Sequence, residues 1–89
     1  PKFFTPNGDA FNPLWQVKGI EELINPTVFI FDRFGKLLKQ LDETDTGWDG
    51  TFNGRQLPSS DYWFRLVYER DEQSVVVAKT VRNHFSLLR

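Results

Sequence analysis

Residues 47–62, Gly-Trp-Asp-Gly-Thr-Phe-Asn-Gly-Arg-Gln-Leu-Pro-Ser-Ser-Asp-Tyr, constrain the fold more than any other part of the chain. Asn53-Gly54 is a strong hairpin signal, because a two-residue type I′ turn needs positive φ at both central positions and Asn and Gly tolerate it best. Thr51-Phe52 and Arg55-Gln56 are then expected to pair across it. Asp49 is placed to accept a hydrogen bond from the backbone two residues on, closing an Asx-turn, with Gly50 free to take a positive φ. Trp48 is thereby held at a fixed angle. Pro58, Ser59 and Ser60 end this pattern, and an alternating run at 61–69 begins with Asp61 and Tyr62. The stretch is read as a corner that hands the chain to a central strand.

The rest of the chain extends the same theme. The opening turn, Thr5-Pro6-Asn7-Gly8-Asp9, has a fixed φ at Pro6, freedom at Gly8, and two side chains that bond their own backbone. Residues 14–17 read as a short strand with Trp15 and Val17 on one face. Residues 19–24 suggest one helical turn before Pro26. Residues 28–32, Val-Phe-Ile-Phe-Asp, suggest a strand covered on both faces, and Arg33-Phe34-Gly35-Lys36 turns it back into a strand at 37–41. Residues 42–46 form an acidic loop. In 61–69, Tyr62, Phe64, Leu66 and Tyr68 share one face, with Trp63, Arg65, Val67 and Glu69 on the other. A charged turn is expected at 70–73, a strand at 74–81 and a last short strand at 84–89. About seven strands, with turn signals every ~8 to 12 residues and no sustained helical period, predict an all-β fold, an immunoglobulin-like sandwich of about seven antiparallel strands.

The 89 residues suffice for a single domain spanning 1–89. Nine Phe and three Trp supply the large side chains a small core needs. The formal net charge of -1 gives no electrostatic reason to expect nucleic acid or an anionic membrane as partner. There is no Cys, which removes disulfides and thiolate metal sites. No apolar run approaches the ~20 residues of a membrane-spanning helix. The abrupt apolar start at Pro1-Lys2-Phe3-Phe4 suggests a domain cut from a longer polypeptide.

Taken together, four motifs in order resemble a known family. They are Phe4-Thr5-Pro6-Asn7-Gly8-Asp9 with Asn12 and Trp15, then residues 28–35 ending in Asp32-Arg33-Phe34-Gly35. Trp48-Asp49-Gly50-Thr51-Phe52-Asn53-Gly54 with Leu57, Pro58 and Tyr62 follows, and Leu87-Leu88-Arg89 closes the chain. The chain resembles, over essentially its whole length, the gliding motility-associated C-terminal domain, the type B sorting domain of the Bacteroidota type IX secretion system. Ala10, Pro13, Phe34, Ser60 and Arg82-Asn83 depart from the family pattern, mostly within turns, and so imply altered loop geometry within the same fold. The resemblance implies a folded, non-catalytic signal that sends an upstream cargo domain of the same chain, already in the periplasm, through the outer-membrane machinery for release or surface attachment.

No enzyme is expected. With one His and no Cys, no nucleophile, base and orienting group assemble on any spacing logic. His84 is read as a surface or edge residue, and Asp42, Glu43 and Asp45 as a solvated face. Asn7, Asp9 and Asn12 have the spacing of a calcium loop, but three side chains fall short of the six to eight oxygens that ion takes, so an Asx-turn is the expectation and no cofactor is assigned. Trp48 is assigned to the core, while Trp63, sharing a face with Arg65 and Glu69, is expected to mark a contact surface if exposed. The terminal segment 81–89 is the candidate for sorting, with Phe85, Leu87, Leu88 and Arg89 as its recognition residues and edge-strand pairing as its mode. The competing reading is an accessory immunoglobulin-like module for adhesion, glycan binding or spacing. A sorting signal must lie at a natural C-terminus, which a chain ending at Arg89 fits, whereas spacers recur, and no internal repeat is visible.

Overall fold

Strand alternation and turn chemistry resolve into two unequal sheets in the computed structural model, which describes residues 3–4, 14–17, 19–45 and 47–88. The large sheet has five strands in the order β1-β7-β6-β2-β3, and the small one is the hairpin β4-β5. The strands are β1 (Phe3–Phe4), β2 (Ile24–Phe31), β3 (Leu37–Asp42), β4 (Thr51–Phe52), β5 (Arg55–Gln56), β6 (Ser60–Glu72) and β7 (Val75–Leu87). This is the all-β architecture expected, consistent with an immunoglobulin-like sandwich. One pairing departs from the antiparallel expectation: β1 lies parallel to β7, Phe3 beside Ser86 and Phe4 beside Leu87.

The β2-β3 hairpin turns where its residues dictate. Asp32 Oδ1 accepts hydrogen bonds from the N–H groups of Phe34 and Lys36, both at 2.9 Å. Gly35, at φ 83°, supplies the left-handed residue. The single helical turn is also present, as a 3-10 turn at Ile20–Glu22.

Four local expectations need correction. Residues 14–17 make one antiparallel bridge, Trp15 to Trp48, instead of a strand. The turn expected at 70–73 lies at Gln73 and Ser74, whose φ values are 52° and 67°, and Arg70, Asp71 and Glu72 belong to β6. The strands expected at 74–81 and 84–89 are one 13-residue strand, β7, paired with β6 without a register shift. No Gly or Pro interrupts that stretch, so the ladder runs straight through the polar Arg82-Asn83 pair. Finally, β2 is covered on one face only. Val28 and Ile30 are buried, whereas Phe29 and Phe31 are half-buried beneath the Arg65 guanidinium, 4.9 and 5.7 Å from its carbon.

The core lies between the inner face of the large sheet and a second layer built from Trp15, Trp48, the 3-10 turn and the β4-β5 hairpin. Val28, Ile30, Leu38, Leu41, Tyr62, Leu66, Phe85 and Leu87 line the sheet side, and Trp15 and Trp48 cap it. Ile20, Leu23, Phe52 and Leu57 pack around the margin. Each large side chain removed from water contributes roughly 1.5–3 kcal/mol, so a dense aromatic centre offsets the small size of the domain.

Candidate recognition surface and its support

The corner at 47–62 is built as its residues require. Thr51 and Phe52 pair with Gln56 and Arg55 across Asn53 (φ 53°) and Gly54 (φ 77°), the type I′ signature. Asp49 Oδ1 accepts from the Thr51 N–H at 3.1 Å and from its hydroxyl at 2.7 Å. Gly50, at φ 80°, lets its carbonyl accept the Leu57 N–H at 3.0 Å. Trp48 is buried, and its indole N–H donates to the Thr51 carbonyl at 3.0 Å. Its backbone exchanges two hydrogen bonds with Trp15, at 2.8 and 2.9 Å.

This corner grips the end of β7 through aromatic rings. Phe85 stacks on Trp15 with centroids 4.5 Å apart and planes 19° from parallel, and meets Trp48 edge-on at 6.0 Å. Tyr62 and Phe64 complete the cluster at 6.2 and 6.4 Å from Phe85. On the opposite face, the Ser86 hydroxyl donates to Asp61 Oδ1 at 2.5 Å, tying β7 to β6. The expected recognition residues therefore divide. Phe85 and Leu87 are buried in the core, Leu88 is 45% exposed, and Arg89 lies outside the described residues. Thr5, Pro6, Asn7, Gly8, Asp9 and Asn12, the opening turn and calcium candidate, also lie outside them.

The Tyr62 hydroxyl donates to the Pro58 carbonyl at 2.8 Å, four residues upstream. A tyrosine bonded back to the chain at such a corner is a hallmark of immunoglobulin-type sandwiches. The Asp-Tyr start of the strand was legible, but not this bond, which depends on where Pro58 bends the chain. Tyr62→Phe is expected to cost about 0.5–1.5 kcal/mol in urea melts, with an unchanged spectrum of the folded form.

The acidic loop proves to be a self-capped turn. The Thr44 hydroxyl and N–H donate to Asp42 Oδ1 at 2.5 and 2.8 Å, and the Asp42 N–H donates to Asp45 Oδ2. The two bonds it accepts from Thr44, the hydroxyl first and then the N–H, hold the Asp42 carboxyl below its ordinary value. A carboxyl depressed in the folded state contributes stability that is present above its unfolded pKa and lost as pH falls through the folded one. Thr44→Val is expected to raise the Asp42 midpoint in an NMR titration and to flatten the loss of stability on acidification.

The outer face of the large sheet carries what sequence alone did not assemble. Phe31, Trp63 and His84 form one row across β2, β6 and β7, and Phe29, Arg65 and Arg82 the next. Trp63 is 40% exposed on this face. Phe31, Asp32, Arg33, Trp63, Arg65 and Arg82 border a shallow depression of about 390 Å³. Arg33 sits over the exposed Phe34 ring at 4.9 Å, on the turn that holds Gly35. Alternation placed Trp63 and Arg65 on one face, but Arg82 joins them only through the β6-β7 register.

Among the described residues no group of three or more His, Cys, Asp or Glu side chains is placed to hold a metal. No helix among the described residues is long and apolar enough to cross a membrane. Fold and surface thus define a small immunoglobulin-like β-domain whose distinctive features are an aromatic corner and a terminal strand gripped by it. The family model described as the CHU_C type IX secretion signal domain matches residues 1–80, and the chain belongs to that family. Membership assigns it a sorting-signal role in type IX secretion and, with it, export across the outer membrane. No curated protein and no solved structure matches the chain.

Proposed function

We propose that the domain is a non-catalytic signal, read in its folded state by the outer-membrane type IX machinery, that carries an upstream cargo domain to the cell surface or medium. Family membership across residues 1–80 is the observation that carries this reading. The end of β7 is its proposed point of contact. Phe85 and Leu87 anchor the strand in the core, leaving exposed Leu88, with Arg89 following it, to meet the machinery. Edge-strand pairing does not suit Ser86 and Leu87, which β1 and β6 flank, whereas Leu88 lies beyond both pairings and its recognition withdraws nothing buried.

Removing Leu88 and Arg89 from a reporter fusion tests this division of labour. The melting temperature is expected to stay within about 2 °C of the full domain while export is lost. Normal export of the shortened fusion would place recognition elsewhere on the fold. A second reading, a binding module of a surface protein, is favoured by the exposed Trp63 beside Arg33, Arg65 and Arg82. It requires the fusion to be retained in the periplasm while the isolated domain binds an anionic or sugar ligand.

A further inference from the structure

The two edges of the large sheet are not alike. β3 is a six-residue edge strand with Lys39 at its centre, and its register with β2 shifts between Ile30 and Phe31. A short length, a lysine and a bulge are the devices by which natural sheets discourage further pairing. β7 is 13 residues long and pairs with β6 without a register shift, and its lysine, Lys79, is engaged within the hairpin. Among the described residues only Ser86 and Leu87 face a strand on its outer side, leaving residues 75–85 as an open edge. The first β2 partner of β6 is Glu69, so the tip of the β6-β7 hairpin projects beyond the rest of the sheet. Val75, Val76 and Val81 are 60%, 63% and 44% exposed on it. Lys79, the charge in its middle, is already neutralised by Glu72 at 2.9 Å.

The direction of the free backbone groups follows from the hairpin. Glu72 and Val75 close a two-residue turn and therefore form a hydrogen-bonded pair. Alternation then puts Val76, Ala78 and Thr80 in non-hydrogen-bonded pairs with Asp71, Glu69 and Val67. Their N–H and C=O groups point away from β6.

We propose that this edge pairs with the same edge of a second copy, antiparallel about a two-fold axis at Ala78, to make one continuous sheet. In that register Ala78 faces Ala78 of the other copy, Val76 faces Thr80, Val75 faces Val81, and Val77 faces Lys79. Three residues of each copy exchange about six ladder hydrogen bonds. Pairs of β-branched residues, the favoured cross-strand neighbours, flank the axis, and no like charges stand directly opposite. Arg82 comes beside the partner's hairpin tip, where Asp71, on the same face of the sheet, carries the complementary charge. The pairing stops short of Ser86 and so leaves β1 in place. A two-fold contact is closed, so it yields dimers and not fibres.

The contact is smaller than a standard interface, which sets the expected dissociation constant between about 10 μM and 1 mM. Sedimentation equilibrium of the isolated chain is expected to show the mass rising from 10.5 kDa towards twice that value over this range. Ala78→Pro removes an outward N–H without touching the β6-β7 ladder, and is expected to weaken the dimer at least tenfold with an unchanged β-sheet spectrum. The register is tested separately, because the chain has no cysteine of its own. Under oxidation Ala78→Cys is expected to cross-link between copies, the facing Cα atoms being about 5.5 Å apart, while Thr80→Cys, two residues off the axis, does not. A monomer up to about 1 mM, or equal cross-linking of the two variants, would overturn the proposal.

Discussion

Phe85→Ala is expected to lower the unfolding free energy by about 3–5 kcal/mol. The ring is 1% exposed and stands at the centre of the aromatic cluster, stacked on Trp15 and edge-on to Trp48. Truncation removes its buried area and leaves a cavity that the bulky indoles on either side cannot collapse to fill. It also detaches β7 from the corner, so the final turn of the strand loses its hold on the second layer. Urea melts monitored by near-ultraviolet circular dichroism read both effects, since the indole environments report the cluster directly. Leu88→Ala, at an exposed position three residues on, is expected to stay within about 0.5 kcal/mol of the parent. A loss below about 1.5 kcal/mol for Phe85→Ala would mean that the terminal strand is not held by this cluster.

Gly47→Ala is expected to cost about 2–4 kcal/mol through the backbone. Gly47 has φ 136°, a conformation that side chains rarely adopt, and a Cβ there would lie 2.7 Å from the Trp15 carbonyl oxygen. That oxygen accepts the Trp48 N–H, so relief of the clash opens the bridge between the two tryptophans. Gly54→Ala is the informative control. Gly54 is also left-handed, at φ 77°, but no atom lies within 4 Å of the added carbon, so only the strain of about 1–2 kcal/mol is expected. The same denaturant series, carried out on both variants, sets left-handed strain alone at Gly54 against the greater strain and close approach combined at Gly47. Equal losses at the two positions would show that the Trp15-Trp48 bridge adds nothing.

The elements legible in the sequence were those whose cause is local. Asn53-Gly54, the Asp49 Asx-turn, the Arg33-Phe34-Gly35-Lys36 turn and the alternating face of β6 each follow from a few adjacent residues and their φ preferences. The continuity of β7 was not legible, because Arg82, Asn83 and His84 look like an interruption until the thirteen consecutive pairs with β6 carry them. The hairpin tip was misplaced for a related reason. Gln73 and Ser74 take left-handed φ without being Gly or Asn, under the constraint of the two long strands they join. Long-range packing decided the rest. Trp15 meets Trp48 across the second layer, and Phe85 meets both, so residues that look like an available terminal motif are half core and half surface. The outer patch at Trp63, Arg65 and Arg82 needed the register of three strands before it existed as a unit.

Those findings narrow what a sorting signal of this build offers its receptor. Its terminal strand is held by the same aromatic corner that organises the fold, so damage to the corner and damage to the signal are expected to coincide unless the exposed end is altered alone. Leu88 and the open edge of β7 are the parts that change without loss of the core. The most direct measurement is the export of a periplasm-directed fluorescent reporter fused ahead of these 89 residues, in hosts with and without a working type IX system. The result expected is fluorescence at the surface or in the medium of the competent host and only in the periplasm of the deficient one. Folded reporter held in the periplasm of both hosts would contradict the sorting role.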